Sequence, residues 1–87
     1  MDAKKILQLR KKLGLSQDKL GQLLDVHTMT VSKWERGILS PTPYQVVMME
    51  EFEKAALKPK VKLELKHVLI AAGVVAAVYL LLKSAKE

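Results

Sequence analysis

Apolar residues recur at helical spacing through most of this chain. Ile6, Leu9 and Leu13 follow Asp2, an N-cap candidate, and predict a first helix that Gly14 ends. Ser16 is a second N-cap, with Asp18 in the favourable first turn and Leu20, Leu23 and Leu24 as the apolar face. After the short turn "DVHT", Val31 and Trp34 mark a third helix from about Thr28 to Arg36, closed by Gly37. Thr42, Pro43 and Gln45 form the capping-box start of a fourth helix, with Tyr44, Val47, Met48, Phe52 and Ala55 expected on its buried side. "KVKLELK" at 60–66 alternates polar and apolar residues, which is a strand period, yet Lys, Leu and Glu also form helices; both readings stand. The last pattern is "VLIAAGVVAAVYLLL", Val68 to Leu82, fifteen residues without a charge or a polar face.

Length sets the scale. At 87 residues the chain is one small domain, or one with an appendage, and its core is modest. It has no cysteine, so disulfides and thiolate metal sites are excluded, which fits a reducing cytoplasm. Charges in the first turns, "MDAKKILQLRKK", argue against a cleaved secretory signal. The net charge of +6 is uneven: residues 58–67 hold four Lys against one Glu. Such a basic stretch suits nucleic acid or an anionic membrane surface. His27 and His67 lack ligand-like spacing, and no phosphate loop or nucleophile triad can be assembled, so no enzyme and no cofactor are expected.

Two helices joined by a tight turn, with Gly21 midway along the first, form the helix-turn-helix pattern. "LRKKLGLSQDKLGQLLDVHTMTVSKWERG" closely resembles the Cro/C1-type helix-turn-helix family, also called the XRE family, over roughly residues 3–57. "GLSQ", "LGQLLDV", "TVSKWERG" and the following Pro-containing loop fall in family order, at fixed spacing. The resemblance implies an all-α fold: a four-helix domain that binds double-stranded DNA, usually as a homodimer. In such a pair the second helix lies in the major groove and presents its N-terminal residues to base edges. Here those residues are Thr28, Met29, Ser32 and Lys33. Thr28 can hydrogen-bond several bases, Met29 can touch a thymine methyl, and Lys33 can reach guanine or a phosphate. Gln17 aligns with a family Gln that resembles a phosphate clamp; Thr30 and Arg36 are further phosphate candidates. Arg10 and Glu35 match a family pair that resembles a structural salt bridge. Trp34 falls on the Val31 side and belongs to the core. His27 stands where the family commonly has a small capping Ser, and exposure is expected of it. Asp25 replaces the family's usual turn Gly, which leaves the turn geometry open.

These readings divide the chain into a DNA-binding domain at 1–57, a basic connector at 58–66 and an apolar helix at 67–84. As a helix, the apolar run is about 22 Å long, short of the ~30 Å hydrocarbon layer. A helix apolar all round must be buried all round. Two environments compete for Val68, Ile70, Gly73, Val74, Ala77 and Leu81. One is a membrane, with Lys66 and Lys83 snorkelling at the ends and the domain tethered to the inner face. The other is a dimer core, where Ala72/Ala76 and Gly73/Ala77 allow close helix approach. The expected function is sequence-specific transcriptional regulation, most simply repression. The rivals are a membrane-anchored scaffold whose domain binds protein, as in shape-control proteins of this layout, and an antitoxin.

Overall fold

The computed structural model describes residues 1–86. Six helices follow one another: α1 (Ala3–Lys12), α2 (Gln17–Leu24), α3 (Thr28–Glu35), α4 (Pro43–Ala56), α5 (Val61–Ala71) and α6 (Val74–Lys86). No strand occurs among the described residues.

The starts of the first four helices follow local chemistry. Asp2 accepts from the Lys5 amide at 2.9 Å and Ser16 from the Lys19 amide at 3.1 Å, each satisfying an orphan N–H of the first turn. At α4 the Gln45 amide donates to Thr42 Oγ1 at 3.2 Å and the Thr42 amide donates to Gln45 Oε1 at 2.8 Å, with Pro43 as the first helical residue. The exposed His27 caps α3: its Nδ1 accepts from the Met29 amide at 3.3 Å. Asp25 does adopt the left-handed conformation that the turn requires, at φ 56°. Gly21 lets the chain turn this tightly. A Cβ there would lie 2.7 Å from the Val26 carbonyl oxygen, so the close neighbour is the turn backbone, not the next helix.

One core serves all six helices. Ile6, Leu9, Leu20, Leu23, Val31, Trp34, Met49 and Phe52 are buried in it together with Val61, Leu65, Ala77 and Leu81 from α5 and α6. α6 lies chiefly along α4, with further contacts to α5 and α2. The expectation that the domain is complete near Leu57 is therefore corrected: the C-terminal third is built into the same core.

One open choice is settled and three other expectations change. Residues 61–65 are helical; Val61 and Leu65, one turn apart, reach the core, while Leu63 is exposed. The connector accordingly shrinks to residues 57–60. The apolar run is not one helix. It breaks at Ala72–Gly73, where Gly73 takes φ +92°, and folds back as an α5–α6 hairpin. The two pieces have 11 and 13 residues, and no helix among the described residues is long and apolar enough to cross a membrane. Ala77 and Leu81 are buried within the chain, Val68, Gly73 and Val74 are half-buried, and Ile70 is exposed. Finally, the inner side of α4 keeps Phe52, Ala55 and the half-buried Met48 as expected but differs nearer its start. Met49, Phe52 and Ala55 face inward, while Tyr44 and Val47 are 72% and 55% exposed.

Candidate nucleic-acid interface

α2 and α3 pack against each other around the turn at Asp25–His27. α3 is fixed from behind by Val31 and Trp34, both fully buried. That anchoring decides which residues face out. Met29 and Lys33 are exposed, and Thr28 and Ser32 are half-buried beside them. Positions 28, 29, 32 and 33 share one side of the helix, so the four base-contact candidates form a single face.

The face is held by a hydrogen-bond network that the sequence did not disclose. Thr28 Oγ1 donates to Asp18 Oδ1 at 2.8 Å, and Gln22 Nε2 donates to Asp18 Oδ2 at 3.2 Å. Asp18 thus ties the start of α3 to α2. The Asp18–Gln22 spacing of four residues is a local signal that could have been read; the link to Thr28, ten residues on, is tertiary. With its proton committed to Asp18, the Thr28 hydroxyl keeps only its acceptor capacity.

The phosphate candidates separate. Arg36 is exposed and its Nε donates to the Ser32 carbonyl at 3.3 Å, which lays the side chain along the end of α3. Thr30 is half-buried. Gln17 turns inward instead: its Nε2 donates to Glu35 Oε1 at 3.1 Å. It joins a clasp in which Arg10 Nε and Nη2 donate to Glu35 Oε2 and Oε1 at 2.6 and 3.0 Å, and Arg10 Nη1 donates to the Leu15 carbonyl at 3.0 Å. One carboxylate therefore joins α1, α2 and α3. The hydrogen bond to Glu35 raises the Arg10 pKa, burial partly opposes it, and charge attraction adds to it. Burial would push Glu35 up, but hydrogen bonds from Arg10 and Gln17 and the charges of Arg10 and Lys11 outweigh it and hold Glu35 below the ordinary value.

A buried anchor pair behind an outward polar face, a left-handed tight turn, and a capped first helix define a helix-turn-helix module. The helix-turn-helix family model matches residues 6–52, more than half of the chain. The chain belongs to this family, the Cro/C1-type (XRE) DNA-binding regulators. No curated protein and no solved structure matches it.

Proposed function

We propose that this protein is a transcriptional repressor that binds a near-palindromic operator as a homodimer and reads base edges with Thr28, Met29, Ser32 and Lys33. The observation that carries the reading is the single outward face of α3, fixed by Val31 and Trp34 and free of buried apolar obligations. Arg36 and Thr30, with the amides at the start of α2, serve the phosphates. Gln17 acts there through its backbone, since its side chain is held by Glu35. In the dimer, two copies of α3 stand one helical turn apart, ~34 Å. Exposed Tyr44 and Val47, one turn apart on α4, support a pairing surface on this part of the domain.

The test is a titration of operator and unrelated DNA with the chain and its Thr28→Ala/Lys33→Ala variant. Each lost base contact costs about 1–3 kcal/mol of discrimination, so specific affinity falls while binding to unrelated DNA changes less. Undiminished specific affinity in the variant would sink the recognition-helix assignment. Binding that weakens steeply with salt supports the regulator over a domain that binds protein, the scaffold or antitoxin reading.

A further inference from the structure

One apolar surface serves neither the core nor the recognition face. It lies at the bend of the α5–α6 hairpin. Ile70 is 78% exposed and Val75 85%, and Ala71 and Ala72 between them are also exposed. Tyr79 stands one turn beyond Val75 and is 68% exposed. No Asp, Glu, Lys or Arg occurs from His67 to Leu82.

A cationic groove of about 330 Å³ opens beside this bend, with Ile70 in its wall. Leu13, Leu15 and Leu69 make its floor, and Lys19, Lys62 and Lys66 its charged lining; no carboxylate lines it. Lys62 lies over Gly14, where a Cβ would come within 2.8 Å of its Cε.

Charge selects the occupant. Beside the bend the groove carries Lys19, Lys62 and Lys66 and no carboxylate. A second copy would bring two such surfaces together with like charges facing. An anionic bilayer meets the same surface with opposite charge, receives the apolar bend, and suits Tyr79 at the headgroup level. We infer that the α5–α6 bend docks peripherally on anionic lipid, with Ile70 and Val75 entering the interface and Lys19, Lys62 and Lys66 holding headgroup phosphates.

The location adds a consequence, which rests on the DNA-binding reading above. Val74 shares a surface groove with Asp25, Val26 and His27, the turn that leads into α3. A bilayer seated on the adjacent Val75 comes up against this turn, at the start of α3. Lipid and operator therefore exclude each other.

Vesicle flotation of the full chain tests this. Vesicles containing phosphatidylglycerol carry the protein, and pure phosphatidylcholine vesicles do not. Ile70→Asp and Val75→Asp each lower partitioning by at least about tenfold. Lys62→Gln/Lys66→Gln lowers it by about fivefold per lysine. All these sites are exposed, and unchanged circular dichroism confirms that each variant is folded. Equal partitioning into both vesicle types, none into either, or insensitivity to these substitutions overturns the inference. So does a dimer that Val75→Asp dissociates, because the surface then belongs to a second copy. The DNA arm is separate. Thr28→Ala/Lys33→Ala floats like the parent chain, and anionic vesicles release operator from the parent. Flotation without any operator binding leaves the docking intact and removes the regulator reading. A vesicle–protein–operator complex overturns the exclusion.

Discussion

Glu35 holds three helices with two oxygens, and its protonation state bears on the whole recognition unit. Its folded pKa lies below the ordinary carboxylate value, so the stability it contributes is present above the unfolded pKa. That contribution is lost as pH falls through the folded one. Urea titrations across the acid range are expected to show parent stability declining below the normal glutamate range. Glu35→Gln is less stable at neutral pH and shows a shallower acid decline; identical slopes would refute the linkage. Glu35→Ala leaves Gln17 Nε2 and Arg10 Nε and Nη2 without their acceptor and costs about 3 kcal/mol at neutral pH. The Arg10–Glu35 half of this clasp was legible because both residues stand at family positions. The Gln17 half was not, since its motif position suggested DNA, and nothing in the composition near residue 17 indicates that its amide turns towards residue 35. The same holds for Thr28 and Asp18. Residue types announce which groups can bond; only packing decides which do.

Helix starts were the most legible elements, because Asp2, Ser16 and Thr42 act within their own turns. One segment was left open and two patterns misled, each for a physical reason. In 60–66 the alternation of Val61, Leu63 and Leu65 suggested a strand, but a helix brings 61 and 65 to one side and leaves 63 in solvent, so two of the three still reach the core. On α4, where apolar residues occur on several sides, periodicity admits more than one register; packing chooses Met49 over Val47. The apolar run looked continuous because Gly73 is a small residue among small residues, yet it is the hinge. Its φ is +92° and nothing lies within 4 Å of a Cβ built there, so substitution meets no steric neighbour and only backbone strain. Gly73→Ala is expected to cost about 1–2 kcal/mol in urea denaturation. A neutral result would show that the hairpin accommodates the change elsewhere.

At the scale of the molecule, the C-terminal hairpin answers the exposure problem of a small domain by completing its core. Fully burying a Val- or Leu-sized side chain contributes about 1.5–3 kcal/mol, and Val61, Leu65 and Leu81 are all buried against the first four helices and each other. Stability for such domains is typically 5–15 kcal/mol, so removing the hairpin takes away a large share of it. A chain ending at Leu57 is expected to melt at a much lower temperature, with reduced cooperativity by circular dichroism. An unchanged transition would restore the four-helix unit as independent. This global fact was illegible because the run lacks a polar face, which reads as needing a foreign environment; dividing it in two gives each half a partner inside the chain. Trp34 turns this architecture into an optical instrument. It is the sole tryptophan, 1% exposed, and sits on the inner side of the recognition helix. Its emission is therefore expected at short wavelength in the native protein and to shift red on unfolding. Operator added to the outer side of α3 should leave that wavelength nearly unchanged. One unlabelled sample then distinguishes a variant that has lost its ligand from one that has lost its fold.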